Sequence, residues 1–301
     1  MSRSEVYLKT QQVADALGIG VSTLKRWVDA GEIAAARTVG RHRLIALDEA
    51  LRFARRNDLP TAALHRAGGA GGASPATVDD PTRDRLVEAL TKGQAKEARR
   101  IIVASHAAMG SGEALADELI GPVMERIGHG WAAGTWDVFQ EHQASQIVSA
   151  AIIELIGRAV RSGDSPTPIA IGASPEGDHS TLAGLLGELT LREVGWDVRN
   201  FGADLPFRSL TRGVAAYRPR LVFVSVGHVA DPITFIEAYT SFHEAATAAG
   251  AAVILGGRGL RAELLARLPH EAHGVWMTDL AAFGRRLLMT VGPDREHEPL
   301  S

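Results

Sequence analysis

The stretch that decides the fold is IAIGASPEGDHSTLAGLLGELTLREVGWDVRNF, residues 169–201. It begins with a short apolar run, passes through a loop into apolar residues at helical spacing, and ends in a second apolar run. Further apolar runs, with helical patterns between them, follow at 221–227, 252–257 and 274–277. Because strands that alternate with helices form parallel sheets covered by helices, the pattern predicts a Rossmann-like α/β domain with a five-stranded parallel sheet. This domain is expected to cover residues 163–301.

The region before this domain, residues 81–162, is predicted to be a four-helix bundle. Apolar residues recur there every three or four positions in four segments with short connections between them. The last of these helices is expected to begin near Val138. Residues 57–80, upstream of the bundle, are rich in Ala, Gly, Pro and Ser and show no period, so they are predicted to be a flexible linker.

Residues 1–56 predict a DNA-binding domain. The segment LKTQQVADALGIGVSTLKRWVDAGEI, residues 8–33, contains two helical patterns separated by a Gly-Ile-Gly turn. The second helix of such a motif enters the major groove, so its early polar residues are expected to contact double-stranded DNA: Ser22, Thr23, Lys25 and Arg26. The next segment, ARTVGRHRLIAL, predicts a hairpin whose basic residues contact phosphates or the minor groove: Arg37, Arg41, His42 and Arg43. The layout resembles the MerR and excisionase class of winged helix-turn-helix domains.

Charge and composition support this division and exclude several classes of function. The net charge is about +4 over residues 1–56 and about −7 over the rest, as expected for one part that meets phosphates and one that does not. The chain contains no cysteine, which excludes thiolate metal sites and cysteine nucleophiles. We expect a cytoplasmic protein, because the sequence shows neither a signal-peptide pattern nor a long apolar run. No G-x-G-x-x-G follows the first strand, which disfavours a Rossmann dehydrogenase, and no P-loop occurs. With a DNA-binding head and no attached catalytic domain, we expect a regulator and not an enzyme.

The bundle contains the segment GHGWAAGTWDVFQEHQAS, in which Trp131 is followed after nine residues by Glu141 and His142. These residue types occur in core packing and on surfaces as well as in ligand sites. Their spacing on a bundle, between a MerR-like head and a Rossmann-like domain, resembles the cobalamin-dependent light-sensing repressors of the CarH type. The resemblance implies that the bundle covers the upper face of adenosylcobalamin, with Trp131, Glu141 and His142 over the adenosyl group.

The same resemblance implies that loops of the α/β domain bind the lower face of the corrin. The family pattern is an acid, one spacer, a histidine that binds cobalt, two spacers and a glycine. Here Asp178 is the acid, Ser180 occupies the histidine position, and His179 lies one residue early. Either His179 reaches the cobalt after a shift of the loop, or the protein supplies no cobalt ligand. Further residues are implied near the nucleotide tail of the cofactor: Ser225, Gly227, Gly256 and Gly257.

Other functions remain open at this level. The residue after Trp131 is Ala132, whereas some light sensors of this family have a histidine there that binds cobalt after illumination. The scaffold is therefore compatible with a bilin or another tetrapyrrole, or with a regulator that binds no ligand. A corrinoid enzyme module is a further alternative, which the DNA-binding head disfavours. The resemblance also implies a homo-oligomer, a dimer or tetramer, and no membrane partner.

Overall fold

The computed structural model describes residues 7–17, 19–37, 43–46, 49–50, 53–54, 80–159, 167–269, 272–274 and 276–289. The chain divides into two compact units, residues 1–75 and residues 76–301. Each unit is described by itself. Among the described residues, no helix combines the length and the apolar character needed to cross a membrane.

The N-terminal unit is a helix-turn-helix with a small antiparallel sheet. Its elements in chain order are β1 (Tyr7–Lys9), α1 (Thr10–Leu17), α2 (Val21–Asp29), β2 (Ala36–Arg37) and β3 (Arg43–Ala46). Strand β3 pairs with both β1 and β2, which gives the sheet order β1-β3-β2. Leu24 of α2 is fully buried, and the ring of Trp27 lies 5.0 Å from that of Phe53. Helix α2 is therefore fixed by its apolar face, which leaves its polar face outward.

The second unit begins with four helical segments that pack as a bundle. These are α3 (Asp80–Thr91), α4 (Ala95–Met109), a third helical stretch from Gly112 to Ala132, and α7 (Val138–Arg158). The third stretch consists of α5 (Gly112–Ala114), the π-helical segment π1 (Leu115–Ile120) and α6 (Gly121–Ala132). Helix α7 begins at the predicted residue, where Asp137 and Gln140 form a capping box. The predicted bundle is confirmed.

The rest of the second unit is an α/β domain. Its elements are β4 (Ile169–Ala173), α8 (Leu182–Val194), β5 (Asp197–Asn200), α9 (Phe207–Tyr217), β6 (Leu221–Ser225), α10 (Pro232–Ala248), β7 (Ala252–Gly256), α11 (Ala262–Leu265), β8 (Ala272–Gly274) and α12 (Met277–Met289). All four strand pairings are parallel, and the sheet order is β5-β4-β6-β7-β8. The predicted five-stranded parallel sheet is confirmed.

Two apolar cores cover the faces of this sheet. Helices α9 and α10 pack on one face, with Phe207, Tyr239 and Phe242 in ring contact. Helices α8 and α12 pack on the other, around Trp196 and Phe223. The parallel arrangement places the loops after β4, β6 and β7 together at the carboxyl edge of the sheet, where open α/β sheets bind ligands.

One strand differs from its prediction, and the linker lies outside the description. The fifth strand covers 272–274 rather than 274–277, because Met277 already starts α12. Asp279 accepts a hydrogen bond from the amide of Trp276 at 3.2 Å, which ends the extended segment there. The predicted linker, residues 57–80, lies outside the described residues except for Asp80, the first residue of α3. The predicted domain boundaries stay predictions.

Candidate functional site

The bundle is attached to the α/β domain by a half-buried carboxylate. Asp117, in π1, accepts hydrogen bonds from the backbone amides of Met277 and Thr278, both at 2.9 Å, and from the Thr278 hydroxyl at 2.5 Å. It thereby caps the first turn of α12 from a different domain. Burial raises the pKa of Asp117 above the ordinary value, against the opposing effect of these hydrogen bonds.

A second set of polar contacts joins the bundle to helix α8. Glu193, near the end of α8, accepts a hydrogen bond from the Gly112 amide at 2.5 Å and lies 2.6 Å from the His106 imidazole. Apolar side chains also join the two parts, since Leu186 and Leu189 of α8 belong to the core of the bundle. The bundle and the α/β domain therefore share one core, and their relative position is fixed.

The loop after β4 is held by the carboxylate of Asp178. This side chain is buried and accepts hydrogen bonds from the backbone amides of Gly227 at 2.5 Å, His228 at 3.3 Å and Ser180 at 3.0 Å. The loops after β4 and β6 are thus tied together at the carboxyl edge. Hydrogen bonds to a carboxylate are stronger than those to a neutral acceptor. The main role of Asp178 is therefore to hold the two loops in position.

His179 and Ser180 directly follow Asp178 in the chain, and both are exposed. The Ser180 hydroxyl lies 2.9 Å from the position that a Cβ on Gly227 would take, so Ser180 faces the loop after β6. His179 lies between two residues held by hydrogen bonds, which leaves an exposed imidazole at the sheet edge. An imidazole nitrogen is a good ligand for a transition metal, and a serine hydroxyl is a poor one. Among the described residues, no cluster of three or more carboxylates and imidazoles could hold a free metal ion.

The glycines after β6 and β7 are required by the packing of these loops. A Cβ on Gly257 would lie 2.2 Å from the carbonyl oxygen of Val226, and Gly257 has a φ of +121°. A Cβ on Gly256 would lie 2.4 Å from the carbonyl oxygen of Gly274. Ser225 is buried at the end of β6, beside Gly256 in the parallel register. The strand ends are thus closely packed, and only small residues fit there.

Two of the three candidate residues on the bundle, Trp131 and His142, are exposed, and Glu141 is half-buried. Trp131 is 51% exposed, and Phe139, in the first turn of α7, is 63% exposed. Glu141 accepts a hydrogen bond from Ser145 at 3.0 Å, and its carboxylate lies 3.6 Å from the imidazole of His142. An exposed indole suits contact with a flat organic ligand better than a role in the core.

One ion pair connects the bundle to the carboxyl edge of the sheet. Arg258, in the loop after β7, lies 3.3 Å from Glu125 of α6, the helix that ends just after Trp131. The structure brings Asp178, Ser180 and Gly227 together in one loop cluster. On the bundle, Trp131 lies near the end of α6, and Glu141 and His142 lie in the first turns of α7.

The predicted DNA-contacting residues of α2 occupy the face opposite its buried leucine. Ser22, Lys25 and Arg26 are exposed and Thr23 is half-buried. In the predicted hairpin, Arg37 of β2 pairs with Arg43 of β3 in the sheet register. The predicted contacts Arg41 and His42 lie outside the described residues.

Comparison with known proteins identifies the two parts. Residues 7–58 match the family model described as a helix-turn-helix domain, and residues 82–156 match the model described as a B12 binding domain. The chain therefore combines a segment similar to helix-turn-helix domains with a segment similar to the B12 binding domain. The helix-turn-helix match contains α1, α2 and the small sheet, and the B12 binding match covers most of the four-helix bundle, with Trp131, Glu141 and His142.

Two transcriptional repressors are similar to this chain in sequence, and one solved structure is similar to it in fold. The HTH-type transcriptional repressor CarH of Myxococcus xanthus is 36% identical over 110 residues, which are 36% of this chain and 36% of the relative. The HTH-type transcriptional repressor CarA of the same organism is 31% identical over 159 residues, 51% of this chain and 50% of the relative. The matches thus span half of these relatives' length or less. The monomethylamine corrinoid protein of Methanosarcina barkeri, 14% identical, superposes with a TM-score of 0.57 over 70% of this chain and 100% of that one, which shows a shared fold.

The sequence reasoning missed the junction between the bundle and the α/β domain. Asp117 and Glu193 each occur next to apolar residues in amphipathic helices, where a carboxylate is ordinarily on the solvent side. The weak signal in the sequence was an acidic pair, Asp117-Glu118, inside the apolar segment LADELI. Its meaning depends on the amides of α12, which lie about 160 residues downstream.

Proposed function

We propose that this protein is a DNA-binding transcription regulator whose second unit senses cobalamin. The observation that carries the proposal is the union of a helix-turn-helix domain with a B12 binding domain in one chain. The regulatory function of CarH and CarA, both named as repressors, supports it. The exposed indole on the bundle and the tied loops at the sheet edge are consistent with a macrocycle between them.

The proposed site assigns a role to each side of the cofactor. Trp131, with Glu141 and His142, would contact the upper face of the corrin or its upper ligand. His179 would offer its imidazole to cobalt from the lower side, because Asp178 and Ser180 hold the loop on either side of it. Bound adenosylcobalamin would supply a cobalt–carbon bond that light breaks, which is the basis for proposing a light sensor.

Signal transfer would depend on the packing of the bundle. Trp131 is near the end of α6, and α6 continues from π1, where Asp117 holds α12. A change in the contacts of Trp131 therefore acts on a helix that is fixed at its other end. We propose that this favours a different homo-oligomer, dimer or tetramer, and so changes how paired helix-turn-helix domains reach adjacent half-sites on DNA.

A second candidate is the same scaffold with a bilin or another tetrapyrrole. The observation that favours it is the exposed hydroxyl of Ser180 where the cobalamin pattern has a histidine. Ala132, which cannot bind cobalt, also favours it.

Absorption spectroscopy distinguishes these candidates. The full chain is incubated in the dark with adenosylcobalamin, hydroxocobalamin, biliverdin or haem, and unbound ligand is removed by gel filtration. We expect retention of cobalamin by the wild type and its loss in Trp131→Ala. The matched control is Tyr217→Ala, which removes an aromatic ring that is 44% exposed on α9. Retention of biliverdin or haem in place of cobalamin would support the second candidate, and retention of none would contradict both.

A further inference from the structure

A cavity of about 460 Å³ lies at the carboxyl edge of the sheet, between the loops after β6 and β7. Its volume is within the range of small-molecule sites. Three arginines line it, Arg258, Arg261 and Arg267, with Glu263 as the one carboxylate in the lining. His228 lines it as well and adds a further donor.

The arginines of this cavity are largely available to a ligand. Arg261 and Arg267 are exposed, and neither forms an ion pair with any residue in the described ranges. Arg258 pairs with Glu125 at 3.3 Å, but both side chains are well exposed, at 65% and 45%. Because an ion pair between side chains this exposed contributes little to stability, a stronger anion could replace Glu125.

The remaining walls are apolar and restrict the chemistry of the ligand. Val229, Pro232 and Leu264 form part of the lining. The cavity exceeds the size of a simple inorganic anion, and its apolar walls suit a carbon skeleton attached to the charged group. Guanidinium groups match the oxygens of a phosphate with paired hydrogen bonds.

We propose that this cavity binds the phosphate group of an organic phosphate, with Arg261 and Arg267 as its main contacts and Arg258 as a third. The proposal does not depend on cobalamin sensing. The phosphate could be the phosphodiester in the nucleotide tail of cobalamin or that of a separate small molecule. In both cases, recruitment of Arg258 would loosen its pairing with Glu125 and so connect anion binding to helix α6.

Isothermal titration of the cobalamin-free full chain with inorganic pyrophosphate at low ionic strength tests the site. Loss of charge-assisted hydrogen bonds weakens binding by about tenfold or more, so we expect this from Arg261→Gln combined with Arg267→Gln. The matched control is Arg208→Gln combined with Arg212→Gln, which changes two arginines in a second cavity on the flank between α9 and α10. Absence of pyrophosphate binding to the wild type, or an equal loss in both double variants, would overturn the proposal. Circular dichroism of both variants checks that they are folded.

The source of the phosphate follows from a comparison of cobalamin with cobinamide, which lacks the nucleotide tail. If the Arg261 and Arg267 double variant binds cobalamin more weakly and cobinamide as well as the wild type does, the phosphate belongs to the cofactor. If the variant binds both as well as the wild type does, yet has lost pyrophosphate binding, the phosphate comes from a separate molecule. If the wild type binds neither corrinoid, the proposed sensing function is wrong. The pyrophosphate titration still decides whether the cavity binds phosphate.

Discussion

Removal of the Asp117 carboxylate tests whether the bundle and the α/β domain form one cooperative structure. Asp117→Ala removes three hydrogen bonds, to the amides of Met277 and Thr278 and to the Thr278 hydroxyl. Loss of a helix cap costs about 0.5–2 kcal/mol, and a hydrogen bond to a charged group contributes about 1.5–3 kcal/mol. Relief of the desolvated charge, seen in the raised pKa, offsets part of this. We expect a net loss of about 2–3 kcal/mol in the free energy of unfolding, since these terms do not add fully.

The assay is urea unfolding of the full chain at neutral pH, followed by circular dichroism. The matched control is Asp231→Ala, which removes a cap that is local to α10, where Asp231 accepts hydrogen bonds from the Ile233 amide and the Thr234 hydroxyl. We expect this control to lose less free energy of unfolding than Asp117→Ala does. We also expect the bundle and the α/β domain of this control to unfold in a single transition. Equal effects of the two substitutions, or a change below about 0.5 kcal/mol for Asp117→Ala, would refute the reasoning.

The same carboxylate predicts a direction for the pH dependence. Burial raises the pKa of Asp117 in the folded protein above its unfolded value of about 4. The folded state therefore holds this proton more tightly than the unfolded state does, and stability is lost as the pH rises through the interval between the two values. Asp117→Asn keeps one acceptor and removes the charge, so its stability should vary less with pH there. A parallel pH dependence in the variant and the wild type would contradict this.

Five further substitutions test the DNA-binding and cofactor residues. Arg26→Ala should change the sequence preference in gel shifts, with a loss of about 1–3 kcal/mol at the preferred site and little loss on unrelated DNA. Arg41→Ala and Arg43→Ala should weaken binding to all sequences and reduce the slope of log affinity against log salt by about one unit each; an unchanged slope would count against phosphate contact. His179→Ala should shift the absorption spectrum of bound cobalamin, while Ser180→Ala should leave it unchanged. The reverse pattern would indicate that Ser180, and not His179, contacts the cofactor.

Local patterns were sufficient to predict most of the fold. Strand β4, Ile169–Ala173, coincides with the short apolar run that begins at residue 169, and its last four residues are buried. Helix α7 begins at Val138 as expected, because Asp137 and Gln140 form a cap that the sequence makes visible. The fifth strand ends earlier than predicted because α12 begins at Met277. The start of α12 depends on a cap to which Asp117 of the bundle contributes.

The candidate site was less accessible to sequence reasoning, for a physical reason. The roles of Trp131, Glu141 and His142 came from a resemblance, since their spacing alone is compatible with packing. Asp178 was expected to contact the cofactor, but its buried carboxylate ties two loops through amides about 50 residues away. Contacts between residues so far apart in the chain leave no periodic pattern in the sequence. The cluster of arginines around the cavity was likewise overlooked, because concavity depends on how two loops pack.

Light and cobalamin dependence of DNA binding is the most direct test of the account. A gel shift with the full chain and DNA from upstream of its own coding sequence is run without cofactor, with adenosylcobalamin in the dark, and after illumination. We predict a change in apparent affinity of about tenfold or more between the cobalamin-bound and cofactor-free protein, which corresponds to a coupling free energy of about 1.4 kcal/mol. Identical affinities in all three conditions, with cobalamin shown by its absorbance to be bound, would contradict the proposal that this protein senses cobalamin to regulate transcription.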